Sequence, residues 1–463
     1  MKPAPLTVRL YWTAYTVWHA RLERALPYWP ERKLRALQDS RARAIVRHAY
    51  RTVPFYREQM DRLGVLPGDV RCADDLARLP VVTIDDYARD PDDFLSAAYR
   101  GAKTFQAFTS GTSGHARVIH FNSASLFQSL AARRRRHIVV STFVGRSRRY
   151  SEMMAASAAT LSVRLREFYE MNSAFPRAVD LRRTHMLSFG HPDEKIAELN
   201  SAKPEVFGGY GSFIGLLYRW AWQHDLPIHR PKLVHYGGDC MSEQDRAIIE
   251  RHFGVPVHSS YQSTEAMAIA YQCELLGGFH IEMDQTAVRV VDRNGKPVGP
   301  GGTGEIFVSN LTNRATVLLN FRLGDIVTLG REPCPCGRTL PTIQRIDGRA
   351  DDVVVHPDGH LMHSMIAIGK IQFVPGVLQL QLVQEELRRF LVRYVLRRGA
   401  DASEVERSLD AKLRETYGAG IDARIERVEF IPPEPSGKVK LVSSRCMPSS
   451  PDEVSAGGEG RSE

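Results

Sequence analysis

A run of small residues at positions 108–121, FTSGTSGHARVIHF, has the composition of a loop that binds phosphate groups. Glycine tolerates positive φ and close approach, so backbone N–H groups can converge on an anion, and serine and threonine hydroxyls add further donors. The residues concerned are Thr109, Ser110, Gly111, Thr112, Ser113 and Gly114. They lack the lysine of the G-x-x-x-x-G-K-S/T P-loop. Taken alone, the run predicts either a polyphosphate clasp or a solvent-exposed linker.

Four residues in the second half of the chain have side chains that bind zinc. Cys273 and His280 stand in the spacing Cys-x6-His, and Cys334 and Cys336 flank one proline in CPCG. Three cysteines and one histidine are a ligand set of closed tetrahedral zinc sites, which are structural. The alternative is a group of buried free thiols, because unpaired cysteine packs like a small hydrophobic side chain. Six cysteines in 463 residues form no disulfide framework. Of the two remaining interpretations, a zinc site and free thiols, we favour zinc.

Four further motifs follow in order along the chain. They are SSYQSTEAM at 259–267, FRLGDIV at 321–327, IDGRADDVV at 346–354 and PPEPSGKVKLV at 432–442. Each alone matches a common surface feature, such as a Gly-Asp or Gly-Lys turn. Their order and spacing, together with the small-residue loop, resemble the adenylate-forming superfamily of acyl-CoA synthetases, peptide-synthetase adenylation domains and luciferases.

Within that superfamily the chain looks most like the phenylacetate–CoA ligase branch. Three features carry this resemblance. They are HAYRTVPFYREQM near the N-terminus, CPCGRT ahead of IDGRADDVV, and Cys-x6-His after SSYQSTEAM. The resemblance covers about residues 40 to 445.

The resemblance implies a two-step reaction. A carboxylate attacks the α-phosphorus of ATP, pyrophosphate leaves, and a thiol then attacks the acyl-adenylate. The small-residue loop would hold the β- and γ-phosphates, and Asp239 would contribute to ATP binding. Tyr261 would lie by the adenine, and Asp325 would accept hydrogen bonds from both ribose hydroxyls.

The remaining matched residues would act on the phosphates and the acid. Thr264 would donate to the α-phosphate, and Arg349 would assist at the ribose and phosphate. Glu265 would hold Mg²⁺, a hard ion that prefers carboxylate and phosphate oxygens. Lys438 would reach the substrate carboxylate and the α-phosphate, where its charge offsets the developing negative charge.

Two positions depart from the superfamily pattern. His115 stands where a lysine usually follows the last glycine of the loop, with Arg117 two residues further on. Either side chain could supply the charge, or the grip on phosphate is weaker. Asp239, in YGGDC, stands where the acidic residue is often glutamate.

The elements that must position these motifs change in type along the chain. Residues 1–100 read as helices with short turns, with a break at Pro54. From 104 to about 345, short β-rich runs alternate with helical stretches, the pattern of a large α/β domain. The predicted strands are 118–121, 232–236, 287–291, 304–308 and 326–329, and the predicted helices are 213–224 and 242–252.

We predict that residues 1–100 form a helical N-terminal part of the large domain and that 101–350 form its ATP- and acid-binding core. Residues 351–445 are predicted to form a small, mobile α+β domain, with strands at 377–383 and 423–430 around a helix at 403–417. By resemblance this domain swings about a hinge, for which we choose Asp351. Residues 446–463 have nothing to bury and are predicted to be disordered.

The composition is that of a soluble globular protein with a net charge of +9. No apolar run reaches the ~18 residues that span a bilayer. The N-terminal segment reads as an amphipathic helix, because aromatic residues such as Trp12 and Trp18 are broken by Arg9 and Arg21. It is no signal peptide, and we expect a cytoplasmic location.

The basic run at 133–137, RRRRH, predicts either a solvated helix face or a surface for an anionic partner. No nucleic-acid-binding motif accompanies it, so we expect no nucleic acid partner. Part of the positive charge would bind the phosphates of CoA.

Three functions stay open at this level. The first is an AMP-forming ligase that joins an aryl or arylalkyl carboxylic acid to CoA with ATP and Mg²⁺. The second keeps adenylation but passes the product to a carrier-protein thiol, an amine, or a hydroxyl that receives AMP. The third is a degenerate, non-catalytic nucleotide-binding protein, which only His115 favours. The acid pocket would lie around 210–213, 236–239 and 259–261, and a homodimer is one alternative for the oligomeric state.

Overall fold

The computed structural model describes residues 3–108, 117–157, 160–174, 182–350, 353–369, 371, 373–434 and 437–446. Three predicted features lie outside these ranges. They are the small-residue loop from Thr109 to Gly114, the hinge residue Asp351, and the tail beyond Cys446.

The N-terminal part is helical, as its sequence predicts. Its α-helices within the described ranges are α1 Leu6–Ala20, α2 Glu31–Thr52, α3 Pro54–Leu63 and α4 Ile84–Arg89. The predicted break falls between α2 and α3, because Pro54 has no N–H donor and suits the first position of a new helix. Gly64, with φ of 65°, ends α3 in the left-handed conformation.

A short hairpin carries the small-residue loop. β1 Phe105–Phe108 pairs antiparallel with β2 Val118–Phe121, so Phe108 lies opposite Val118 at the two ends of the loop. The backbone of His120 in β2 exchanges two hydrogen bonds of 3.0 Å with Thr316, one to its hydroxyl and one from its N–H. The stem of the loop is therefore fixed to the body of the protein.

A mixed β-sheet forms the centre of the large part. Its strands in chain order are β3 Ser151–Ala155, β4 Arg182–Met186, β5 Val206–Gly209, β6 Leu233–Gly237, β7 Val257–Ser263, β8 Met267–Gln272, β9 Phe279–Ile281, β10 Thr286–Val291, β11 Thr303–Asn310, β12 Phe321–Leu329 and β13 Thr342–Arg349. For the residues described, the spatial order is β10-β11-β12-β13-β9-β8-β7-β6-β5-β3-β4. Strands β3 to β7 pair in parallel and the others antiparallel.

Helices connect the strands of the parallel half. They are α5 Ser123–Val144, α6 Leu161–Asn172, α7 Pro192–Ala202, α8 Gly211–Gln223 and α9 Glu243–Ala247, which continues as a π-helical turn at Ile248–His252. The predicted helices at 213–224 and 242–252 correspond to α8 and to α9 with its extension. In the described part of the chain, no helix is both long enough and apolar enough to cross a membrane.

The C-terminal part has its own sheet and core. Its elements are β14 Val353–Val355, β15 Leu361–His363, α10 Ser364–Gly369, β16 Val377–Glu386, β17 Arg389–Leu396, α11 Ala402–Tyr417, β18 Asp422–Val428 and β19 Val442–Ser444. Strands β18, β17, β16 and β19 lie side by side in that order, and β19 is parallel to β16. Leu382, Val392, Leu409 and Leu413 are buried in this core. The predicted α/β fold with a small α+β part is confirmed, whereas the boundary at residue 351 stays a prediction.

The basic run at 133–137 is solvated only in part. The prediction of a solvated helix face is wrong at its centre, Arg135. Arg135 is buried in α5 and lies 2.5 Å from Glu23, 3.3 Å from Glu282 and 2.7 Å from Asp284. A buried guanidinium costs several kcal/mol unless carboxylates compensate it. Burial raises the pKa of Glu282 to about 7. Burial also acts to raise the pKa of Asp284, but the charge and hydrogen bonds of Arg135, together with the charge of Arg41, outweigh it and lower that pKa.

Arg136 also contacts the interior, through a chain of polar groups across the sheet. Its Nη1 lies 3.0 Å from His235 Nε2, and His235 Nδ1 lies 2.7 Å from His258 Nδ1. His258 Nε2 lies 2.9 Å from the carbonyl oxygen of Gln272, which only accepts. His258 therefore carries its proton on Nε2 and accepts from His235. Burial lowers the pKa of His258 to about 3, which keeps it neutral.

We expect Arg135→Met to destabilise the large part by about 3–5 kcal/mol, because the change leaves buried carboxylates without their cation. Urea unfolding followed by tryptophan fluorescence measures the effect. Arg134→Met is the matched control, because Arg134 is exposed on the same helix turn. Equal midpoints for the two variants would show that the buried cluster contributes no stability.

Candidate active site

The predicted nucleotide-site residues lie at one edge of the sheet. Strands β5, β6 and β7 are adjacent and parallel, so their carboxyl ends meet at the same edge. Tyr210 and Ser212 follow β5, Asp239 follows β6, and Thr264 and Glu265 form the turn after β7. This edge is where ligands bind in open α/β sheets.

Tyr261, Asp325 and Arg349 come together across three strands. The hydroxyl of Tyr261 in β7 donates to Asp325 Oδ2. Asp325 in β12 is the register partner of Arg349 in β13, and Arg349 Nη1 lies 3.6 Å from Asp325 Oδ1. Burial is the main cause that raises the pKa of Tyr261 well above its usual value, and the charge of Asp325 adds to it. The three side chains predicted for adenine and ribose are therefore in one contact group.

Asp239 caps the helix that follows β5. Its Oδ1 accepts from the backbone N–H of Gly211 at 2.5 Å, and its Oδ2 accepts from the N–H of Ser212 at 3.2 Å and from the Ser212 hydroxyl. Burial raises the pKa of Asp239 to about 6, although these hydrogen bonds and the charge of Lys438 oppose the rise. Both of its carboxylate oxygens accept hydrogen bonds at the N-terminus of α8. Its role in ATP binding stays a prediction.

Lys438 reaches this edge from the small C-terminal part. The N–H of the next residue, Val439, donates to the Ser212 hydroxyl at 2.9 Å. Lys438 Nζ lies 5.5 Å from the ring centroid of Tyr210, within cation–π range. Gly437 has φ of 87°, and a Cβ there would lie 2.1 Å from Ser188 Oγ, so only glycine allows this approach.

Glu265 and Arg117 both lie within electrostatic range of Tyr87. Tyr87 is buried in α4, and its hydroxyl donates to the carbonyl of Val118 at 2.5 Å, where β2 begins. Burial is the main cause that raises the pKa of Tyr87, the charge of Glu265 raises it further, and the charge of Arg117 lowers it. The predicted magnesium ligand and the residue that precedes β2, Arg117, thus act on the same tyrosine. Thr264 shares the turn of Glu265.

Sequence reasoning missed two residues of this site. Ser212 was included only in a stretch of the acid pocket, and Tyr87 had no predicted role. The sequence GGYGS at a strand-to-helix transition is a usable signal for Ser212, because serine hydroxyls form hydrogen bonds readily at helix N-termini. Tyr87 gave no signal, because its contacts depend on residues more than 30 positions away.

The four predicted zinc ligands form a compact cluster. One ligand atom from each of Cys273, His280, Cys334 and Cys336 lies within 4.8 Å of all the others. The sulfurs of Cys273 and Cys334 are 3.7 Å apart, and Cys336 Sγ lies 3.4 Å from His280 Nε2. Tetrahedral zinc with Zn–S of about 2.3 Å and Zn–N of about 2.0–2.1 Å requires S–S edges of about 3.8 Å and S–N edges of about 3.6 Å. The cluster fits zinc.

The surroundings of the cluster indicate a structural role. Cys273 follows β8, and Cys334 and Cys336 lie in the loop between β12 and β13. In that loop Arg338 pairs with Glu274 at 2.8 Å, and the N–H of Thr339 donates to the carbonyl of Pro27 at 2.9 Å. A bound ion would join this loop to the β8–β9 connection.

Comparisons with known proteins agree with this architecture. Residues 354–445 match the CapK C-terminal domain. The chain is similar to phenylacetate-coenzyme A ligase of Thermus thermophilus, with 28% identity over 342 residues, 70% of this chain and 72% of the relative. It is similar to phenylacetate-coenzyme A ligase of Escherichia coli K12, with 27% identity over 335 residues and the same shares. The predicted resemblance to this branch is confirmed.

Solved structures show the same fold. A crystal structure of 2-hydroxyisobutyryl-CoA ligase in the postadenylation state has a TM-score of 0.68 with 18% identity, and the match covers 92% of each chain. The same ligase in the thioesterification state has a TM-score of 0.58 with 18% identity and covers 90% of this chain and 91% of that one.

We predict one zinc ion per chain, because the cluster has the ligand types and the edge lengths of a closed site. Elemental analysis of the purified protein measures it. The double variant Cys334→Ser and Cys336→Ser should lose the zinc and melt at a lower temperature, since metal binding adds to folding free energy.

Cys72→Ser with Cys446→Ser is the matched control, because both are cysteines outside the cluster. The control should keep one equivalent of zinc and the wild-type melting temperature. A purified wild-type chain without zinc, refolded in its presence and still empty, contradicts the prediction.

Proposed function

We propose that the protein is an AMP-forming ligase that activates an aryl or arylalkyl carboxylic acid as its acyl-adenylate and transfers the acyl group to CoA. The observation that carries the proposal is the position of Lys438. The hydrogen bond from Val439 to Ser212 holds it at the sheet edge that also carries the contact group of Tyr261 and Asp325.

In the first step a carboxylate oxygen of the acid bonds to the α-phosphorus of ATP, and the bond to the leaving pyrophosphate breaks. Lys438 would pair with the incoming carboxylate and the α-phosphate, which lowers the cost of bringing two negative groups together. Asp325 would accept from the ribose hydroxyls, with Arg349 beside it. Thr264 would donate to the α-phosphate.

Magnesium has a suitable ligand in Glu265, whose carboxylate provides the hard oxygen that this ion prefers. When bound, the ion would neutralise phosphate charge during attack. The small-residue loop from Thr109 to Gly114 would hold the β- and γ-phosphates. Arg117, which precedes β2, and Glu265 both act electrostatically on Tyr87. Arg117 would then supply the positive charge that the usual lysine provides, two positions after His115 in the sequence.

In the second step a thiolate attacks the carbonyl carbon of the adenylate, and AMP leaves. We propose CoA as the acceptor, because the relatives at 27–28% identity are named phenylacetate-coenzyme A ligases. Tyr210 and Tyr236 belong to the stretches proposed for the acid pocket, and the Tyr236 ring packs closely on Gly211, where a Cβ would lie 2.7 Å from it. The alternative acceptors are a carrier-protein thiol, an amine, or a hydroxyl that receives AMP.

The experiment that tests the function is acid-dependent ATP–pyrophosphate exchange over a panel of aryl, arylalkyl and aliphatic acids, followed by mass spectrometry with CoA. Exchange with arylalkyl acids and a CoA thioester product support the proposal. ATP–pyrophosphate exchange without a thioester product supports adenylation and rejects CoA as the acceptor. Absence of exchange with every acid indicates a non-catalytic nucleotide-binding protein.

Lys438→Ala should lower adenylate formation by about 10²–10³-fold, because it removes one positive group aimed at the charge that develops during attack. The same variant should still convert a supplied acyl-adenylate with CoA, because by our proposal the small part moves away before the second step. Single-turnover assays of the two half-reactions measure this difference.

Lys440→Ala is the matched control, with the same charge two residues along the same segment, and it should keep both half-reactions. Asp351→Pro should show the opposite defect, with adenylation kept and transfer lost, because proline fixes φ near −65° and would stall the proposed hinge. Loss of the same half-reaction in Lys438→Ala and Asp351→Pro would reject the two-state movement.

A further inference from the structure

The outward face of α1 is apolar along its length. At 3.6 residues per turn, its five most exposed large apolar residues fall in one arc of about 140°. They are Leu6, Leu10, Tyr11, Val17 and Trp18, each between 52% and 62% exposed. Contiguous exposed apolar surface of this kind marks an interaction site rather than ordinary surface.

The opposite face of α1 is docked on the protein. The ring of Trp12 stacks on Phe127 of α5 with centroids 4.8 Å apart, and Gln128 Nε2 donates to the hydroxyl of Tyr15 at 2.9 Å. Thr16 is buried in the same face. The helix is therefore held in place, and its apolar face points outward because of this docking.

The charges around α1 have one sign. Between residues 3 and 30 the sequence has Arg9, Arg21 and Arg24, and its one acidic residue, Glu23, is buried against Arg135. Arg21 lies over the ring of Trp18 with its Cζ 3.1 Å from the ring centroid. The exposed surface of this segment is thus apolar and cationic.

A basic cleft lies along α2. It has a volume of about 540 Å³ and its lining includes Arg47, Arg51 and Arg314. The part of the chain that the structure describes provides no ion-pair partner for these three guanidinium groups. Burial is the main cause that raises the pKa of Tyr15 in α1, and the charge of Arg314 opposes the rise, so this arginine of the cleft is within electrostatic range of α1.

We propose that α1 binds the interface of an anionic lipid bilayer, with its apolar face at the boundary of the acyl chains and the neighbouring arginines on lipid phosphates. Aromatic residues such as Tyr11 and Trp18 are typical of that depth, and arginines add attraction to an anionic leaflet. A second copy of the chain fits the face less well, because it would bring two sets of arginines together without acids between them.

Vesicle flotation of the full-length protein tests the proposal. Phosphatidylcholine vesicles that contain phosphatidylglycerol should carry the protein upward, and high salt or pure phosphatidylcholine should weaken the binding. The quadruple variant Leu6→Ser, Leu10→Ser, Val17→Ser and Trp18→Ser should bind at least about tenfold more weakly, because its apolar area is lost. Replacing Arg21 and Arg24 with Gln should weaken binding by about fivefold for each charge.

The matched control is Leu63→Ser with Leu66→Ser, since these residues are 50% and 58% exposed at the end of α3. The control should bind as wild type does, and circular dichroism should show both multiple variants folded. Absence of vesicle binding, or equal binding by the quadruple variant, overturns the proposal. Light scattering that shows a dimer dissociated by the quadruple variant, without vesicle binding, assigns the face to a second copy instead.

Discussion

Ser212 holds the two parts of the candidate site together. Its hydroxyl donates to Asp239 and accepts from the N–H of Val439, which one hydroxyl can do because it has one proton and two lone pairs. Asp239 in turn accepts from the N-terminus of α8. Helix α8, the turn after β6 and the C-terminal segment thus share one network. Lys438 is placed by the backbone beside it, so its flexible side chain starts from a fixed point.

The position of this network follows from the direction of the strands. Strands β5, β6 and β7 run in parallel, and their carboxyl ends deliver Tyr210, Asp239 and Glu265 to one edge. On the other side of β7 the sheet becomes antiparallel, and β12 and β13 bring Asp325 and Arg349 beside Tyr261 through their register. The site therefore lies where a parallel half and an antiparallel half of one sheet meet.

The sequence predicts local features of this structure well and long-range ones only where a motif carries them. The break at Pro54 and the strand at 118–121 follow from residue preferences within a few positions. The group of Tyr261, Asp325 and Arg349 could be predicted because an ordered set of motifs marks it. The Cys273 cluster could be predicted because ligand types reveal it. Tyr87 could not be predicted, because its contacts are with residues distant in the sequence, such as Val118 and Glu265.

The basic run of α5 shows why composition misleads about burial. Four arginines in a row look the same whether carboxylates face them or water does. Only the fold brings Glu23, Glu282 and Asp284 around Arg135, from positions more than 110 residues before it and after it. Hydrophobic periodicity records which side chains avoid water, and it contains no information about which charges will find a partner.

The pairing of β19 with β16 has a consequence for how the protein is made. β19 lies beyond Lys438 in the chain and completes the small sheet as a parallel edge strand. During synthesis the ribosome must release residues 442–444 before that sheet can close, so the small part cannot finish folding until the lysine has also emerged. A message truncated ahead of this strand yields a chain whose large part can fold while the small part keeps an open edge, the kind of intermediate that chaperones and proteases remove.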